Sequence, residues 1–185
     1  MQQTNTIQKH YSFADYYNWN DGIRWELIDG IPHAMAAASN DHQRISMRLS
    51  RVFSNFLNGK KCEVFAAPFD VRLNAHTKDN TIFQPDLTIV CDQTKLQGHG
   101  CMGAPDMVIE IISKSTRRMD RIIKLEKYKQ AGVGEYWIVD QEKNNIDVFI
   151  LKNGEYIRTT FGQSATITVK TLPELVVNVT EVFDI

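Results

Sequence analysis

Two acidic residues stand where acids are costly. Asp86 follows Pro85 in QPDLTIVCD, at the start of an apolar strand, and Glu110 lies inside DMVIEII with apolar residues on both sides. A carboxylate in such a run is expensive to bury unless it is paired or holds a metal. On adjacent strands of one sheet, two such groups can share a cation. Hard oxygen donors with nothing softer nearby point to Mg²⁺ or Mn²⁺ rather than zinc. The following helix adds a third group, because Asp120, Lys124 and Tyr128 recur every four residues and share one face. Turned toward the sheet, the Lys124 ammonium could reach Glu110 and a metal-bound water, balancing charge on a pentavalent phosphorus. The same spacing also fits a solvated Lys124 paired with Asp120.

The region around that helix holds the one basic cluster of the chain: Lys114, Arg117, Arg118, Arg121, Lys124, Lys127 and Lys129 against Asp120 and Glu126. Backbone-phosphate contacts are its functional reading and a charged exposed helix face its plain one. Ser113 and Ser115 flank the strand end, where their hydroxyls can cap the helix or contact a phosphate, capping being the commoner use. Glu26, between Trp25 and Leu27, reads by alternation as a solvent-facing strand position, and His42 as a packing residue in the first turn of a helix. No G-x-S-x-G, H-E-x-x-H or phosphate-cradling glycine motif occurs.

The elements that must position these residues can be read from period and punctuation. Ser12 caps a short aromatic helix through Trp19. The segment RWELIDGIPHAMAA forms a hairpin about Asp29-Gly30. A longer helix opens at Ser39-Asn40-Asp41 and stops near Gly59. CEVFAAP and FDVRLN are strands with Pro68 at an edge or bend, and 75–81 is a polar loop. The glycine-bearing loop 93–105 is flexible enough to close over or admit a ligand. DMVIEII has the pattern of a strand buried on both faces. A regular helix spans Thr116–Ala131, and EYWIVD, NIDVFIL and EYIRTTF make an antiparallel meander before a last strand and short helix. This is an α/β or α+β fold, a mixed sheet flanked by helices.

A chain of 185 residues implies one domain over 1–185, with 1–10 frayed. The net charge of −1 supplies no global field for a polyanion, so any nucleic-acid contact rests on a local patch. Cys62, Cys91 and Cys101 are odd in number and widely spaced, and read as free thiols in a reducing compartment. With no signal-peptide core and no membrane-length apolar run, the expected location is cytoplasmic.

Taken together, Pro85-Asp86, Glu110 to Ser113, Asp120-Lys124-Tyr128 and Gly132 to Asp140, with ELIDG at Glu26–Gly30 and His42, resemble the Uma-type restriction endonuclease family of the PD-(D/E)XK nuclease superfamily. The resemblance runs from about Ser12 to the C-terminus. It implies a restriction-endonuclease-like core and a Mg²⁺-dependent endonuclease that hydrolyses DNA through a metal-activated water, working as a homodimer. Asp86 and Glu110 would be the metal ligands, helped by the backbone carbonyl after Glu110. The superfamily lysine is displaced, since the position two after the glutamate is Ile112. Lys124 on the helix takes its place, with Lys114 as the nearer rival. Glu26 and His42 become accessory residues, Glu26 for a second metal or water and His42 for a phosphate or proton. A non-catalytic nucleic-acid-binding or assembly module that retains the fold is the alternative.

Overall fold

The computed structural model describes residues 9–76 and 78–184. The frayed start expected over 1–10 therefore falls, for 1–8, outside the described residues. One helical turn α1 (Phe13–Tyr16) precedes β1 (Trp25–Ile28) and β2 (Ile31–Ala34), and α2 (Asn40–Leu57) follows. Next come β3 (Glu63–Ala66), β4 (Asp70–Arg72), β5 (Ile82–Phe83), β6 (Leu87–Val90), β7 (Leu96–Gln97), β8 (Gly100–Met102) and β9 (Met107–Ile112). A π-helical stretch (Met119–Lys124) runs into α3 (Leu125–Ala131). The meander β10 (Glu135–Asp140), β11 (Asn145–Lys152) and β12 (Glu155–Phe161) leads to β13 (Thr166–Thr168), β14 (Val176–Asn178) and α4 (Val179–Phe183).

The main sheet has the order β12-β11-β10-β9-β6-β3. Within it, among the described residues, only β9 and β10 pair in parallel, and the helix between them supplies the crossover that parallel pairing needs. A second sheet has the order β2-β1-β5-β4-β8-β7. Among the connections between the sheets, Ala67-Pro68-Phe69 joins β3 to β4 and Gln84-Pro85-Asp86 joins β5 to β6. Proline has no N–H to give a ladder and suits such a crossing.

Alternation along β9 decides where Glu110 looks. Ile109 and Ile111 pack with Ile45, Leu49 and Phe53 of α2 and with the C-terminal Val177, Val182 and Phe183. Val108 and Ile112 face the other way, toward Tyr128, Val133, Val71 and Phe83. Glu110 shares their side, between the main sheet, the α3 helix and the second sheet.

Several expectations change. The aromatic helix ends at Tyr16, where Asn18 and Trp19 bond back to Ala14 and Tyr16, and Trp19 docks edge-on against Tyr16 and Trp25. The supposedly flexible loop 93–105 is largely the ordered β7–β8 hairpin. Gly100 is there for close approach, since a Cβ would lie 2.1 Å from the Asp70 carbonyl oxygen. The regular helix over Thr116–Ala131 is interrupted by its π stretch. Cys62 and Cys91 form a disulfide instead of free thiols, leaving Cys101 as a buried thiol. They flank the paired residues Glu63 and Val90, a proximity that a separation of 29 residues does not reveal. With two of its three cysteines bonded, the chain carries no free-thiol sign of a reducing compartment. Among the described residues no helix is long and apolar enough to cross a membrane.

Candidate active site

The site lies at the crossing of the two sheets. Leu87 pairs with Ile109, so one further step of the antiparallel register sets Asp86 opposite Glu110. Asp86 Oδ2 accepts the Ile111 N–H at 2.7 Å and lies 3.2 Å from His42 Nε2. His42 is placed by the start of α2, where Ser39 Oγ accepts its N–H at 3.2 Å. Glu110 Oε1 accepts from Lys124 Nζ at 2.8 Å and from Tyr128 Oη at 2.9 Å. The same ammonium donates to Glu26 Oε1 at 2.9 Å and lies 3.7 Å from Asp120. Gln84 completes the seat of Glu26 through a main-chain N–H donated to Oε1 at 2.8 Å.

The helix achieves this through its π stretch, a form often found at functional sites. Asp120, Lys124 and Tyr128 are all buried, at 3, 4 and 0% exposure. The Tyr136 hydroxyl donates to the Asp120 carbonyl oxygen at 3.1 Å, tying the widened turn to β10. The solvated readings of Lys124 and Glu26 are thereby corrected: strand alternation was right, but the side taken for solvent faces a cavity. His42, read as a packing residue from its helical face, reaches the Asp86 carboxylate.

Burial is the largest influence on Glu110 and raises its pKa well above the ordinary carboxylate value, with Lys124 pulling the other way. Asp120 is raised for the same reason. For Lys124 burial pulls downward, but Glu110, Glu26 and Asp120 outweigh it and hold its pKa well above that of a free lysine. The ammonium is thus a fixed positive charge. Burial also lowers His42, and its contact with Asp86 more than reverses this.

Among the described residues, the hydrogen bonds and ion pairs to Asp86, Glu26 and Glu110 each fall on one oxygen of the carboxylate. Asp86 Oδ1, Glu26 Oε2 and Glu110 Oε2 are left as donors, and all three residues line a cavity of about 470 Å³. No group of three or more His, Cys, Asp or Glu converges as a ready-made metal cage among the described residues. Mg²⁺ does not need one, because it is typically held by one or two carboxylates and keeps several waters. The Asp86–Glu110 pair fits that donor set.

The expected phosphate contacts fare unevenly. Arg117 reaches Asp140 at 2.6 Å and Glu142 at 2.8 Å, and Arg121 reaches Asp147 at 2.6 Å. Both guanidiniums are held by acids on or beside the meander. Lys114 and Arg118 are the exposed members, Lys114 at 3.4 Å from Glu142 with a side chain 87% exposed. Ser113 Oγ accepts the Thr116 N–H at 3.3 Å and so serves as a cap. Gln84 and Arg24 line the cavity and were missed. The available signals were Arg24 standing two residues before Glu26, on the same side of its strand, and Gln84 standing directly before Pro85-Asp86.

The family described as Uma2, putative restriction endonuclease, matches residues 13–180. The chain belongs to this family. Similar proteins occur in Synechocystis sp. (strain ATCC 27184 / PCC 6803 / Kazusa). The uncharacterized protein slr1290 is 30% identical over 138 residues, 73% of this chain and 71% of that one. The uncharacterized protein sll1609 is 27% identical over 119 residues, 63% of this chain and 66% of that one. Among solved structures, a putative nuclease belonging to DUF820 from Anabaena variabilis superposes with a TM-score of 0.76 at 15% identity. It covers 94% of this chain and 97% of its own. At that identity the likeness bears on the fold, a mixed α+β nuclease-like architecture.

Proposed function

We propose that this Uma2 protein is a metal-dependent endonuclease that hydrolyses phosphodiester bonds in DNA, with Asp86 and Glu110 as ligands for Mg²⁺ or Mn²⁺. The observation that carries the reading is the buried Lys124 ammonium, fixed between Glu110 and Glu26 while their second oxygens remain as donors at one cavity. A divalent ion bound there would lower the pKa of a water and offset charge on the phosphoryl group. Lys124, held protonated, orients Glu110 and Glu26 and offers positive charge to the developing transition state. His42 and the Ile111 N–H fix Asp86, Tyr128 fixes Glu110, and Asp120 adds negative charge that keeps Lys124 protonated. Lys114 and Arg118, both exposed, are the members of the basic cluster placed to meet phosphates outside the cavity. One site cuts one strand, so double-strand cleavage takes two chains acting as a homodimer. The whole chain acts as one domain in this reading.

The test is nicking of supercoiled plasmid with Mg²⁺ or Mn²⁺ by wild type, Asp86→Ala and Lys124→Ala. Both variants should be inactive. Equal cleavage by all three sinks the site assignment. DNA binding that persists in EDTA, with no breaks under any divalent ion, favours a non-catalytic module instead.

A further inference from the structure

The cavity is lined by an excess of carboxylates, so in the absence of a metal a cation besides Lys124 would help to hold phosphate there. We propose that Arg24 binds a phosphate of the substrate strand at this cavity, held in position by Gln84; this rests on the nuclease reading above. Arg24 stands two residues before Glu26, and strand alternation sends both side chains to the same face. Its carbonyl accepts the Met35 N–H at 2.8 Å, which adds a rung to the β1–β2 hairpin and fixes the backbone from which the side chain starts.

The guanidinium is seated on a side-chain amide. Nε and Nη2 both donate to Gln84 Oε1, at 3.0 and 2.8 Å. Among the described residues its hydrogen-bond partner is therefore a neutral amide, whereas Arg117, Arg121 and Arg158 each meet a carboxylate within 3.0 Å. A neutral partner orients the group without cancelling its charge. Of the five N–H donors of a guanidinium, those on Nη1 and the second on Nη2 are left for a ligand.

Gln84 is itself held. It is 8% exposed, and its Nε2 donates to the Tyr16 hydroxyl at 2.9 Å and to Asp70 Oδ1 at 3.0 Å. Tyr16 donates to the same Asp70 oxygen at 2.9 Å. As a carboxylate, Asp70 accepts from both Tyr16 and the amide nitrogen, which leaves the amide oxygen for Arg24. A flipped amide would set two donors against the guanidinium. The main-chain N–H of the same residue holds Glu26, and Asp86 lies two residues on. One residue therefore ties together a phosphate-seeking cation and the site's acids. This also gives α1 a task, because Tyr16 anchors the chain of bonds.

The experiment measures binding of the full chain to a fluorescent duplex DNA oligonucleotide by anisotropy, in EDTA, over a range of salt concentrations. Arg24→Ala should weaken binding roughly tenfold or more, as expected for lost charged hydrogen bonds. It should also reduce the slope of log K against log salt by about 0.9, one phosphate contact on duplex DNA. Arg24→Lys should recover the slope but only part of the affinity, since the charge returns without the fork. Gln84→Met, which frees the arginine but keeps its charge, should weaken binding at wild-type slope. That pattern separates positioning from a purely structural role for Gln84. If Arg24→Ala proves unstable, Arg24→Lys compared with Gln84→Met still decides the matter at matched melting temperature. Wild-type affinity and slope in Arg24→Ala, with a wild type that binds and nicks, overturns the Arg24 assignment alone. A wild type that neither binds nor nicks overturns the nuclease reading, and the assignment with it.

Discussion

One helix supplies two charged arrays, and they differ in how completely their acids are satisfied. Near its start, Arg117 and Arg121 reach Asp140 and Asp147, whose side chains are 0 and 1% exposed. Asp140 also accepts the N–H groups of Glu142 and Lys143, while Asp147 takes Arg158 and Thr160 as well. Burial pulls both acids upward, yet their donors outweigh it and hold both below the ordinary carboxylate value. One turn further on, Lys124 meets Glu110, Glu26 and Asp120; burial is the largest influence on Glu110 and Asp120 and raises both, and with four carboxylates, counting Asp86, around one ammonium and His42, the opposing pull of Lys124 does not cancel it. Burial alone does not mark a functional acid. What sets the acids of the proposed site apart is that the donors to Glu110, Glu26 and Asp86 fall on one oxygen each, beside a cavity.

The largest effect should come from the undersupplied array. Lys124→Met leaves Glu26 and Glu110 without their shared cation and should destabilise the fold by about 3–5 kcal/mol, the usual cost of stranding a buried charge. Nicking, assayed below the variant's melting temperature, should fall by a factor of roughly 10² to 10³. Wild-type nicking in this variant would erase the distinction between the arrays.

The saturated array should respond in stability alone. Asp147→Ala removes partners from Arg121, Arg158 and Thr160, at a cost of about 1–3 kcal/mol because the two arginines retain access to water. Nicking by the folded protein should be unchanged.

Acid provides a smaller, graded version of the same test. The folded-state pKa of Asp147 lies below its ordinary value of 3.8, since the bonds from Thr160, Arg121 and Arg158 overcome burial. Its contribution to stability is thus fully present above that value and is lost as pH falls through the lower, folded-state value. Melting temperature should drop steeply below about pH 4 in wild type and less steeply in Asp147→Asn. Parallel curves would show that the brace carries no such linkage.

What could be read in the sequence follows the same division. Strand and helix periods, the Asp29-Gly30 hairpin and the meander were legible because each is a local pattern. Asp29 and Gly30 do take φ of 52° and 80°, the positive values a two-residue hairpin turn demands. Asp86 and Glu110 were legible because acids in apolar strands are anomalous. Gln84 and Arg24 were not, because an ordinary polar residue gains meaning only from the register that brings residues 24 and 84 together. The disulfide was hidden for the same reason. The basic cluster misled differently: composition counts charges, and only the fold shows that Arg117 and Arg121 face acids from residues 140–147.

Lys114 against Lys124 is the finest test of the comparison, because both lie near Glu110 in sequence. Lys114 follows the end of β9, where the strand has left the sheet, and among the described residues its exposed ammonium meets Glu142. An exposed pair of this kind contributes little, since solvent screens it and two flexible side chains must be ordered. Lys114→Ala should shift stability by less than about 0.5 kcal/mol. It should leave single-turnover nicking near wild type and trim DNA affinity only modestly, through one lost phosphate contact. A loss of nicking as deep as that of Lys124→Met would return the site lysine to the strand end. Burial between carboxylates would then have been the mark of a brace in both arrays.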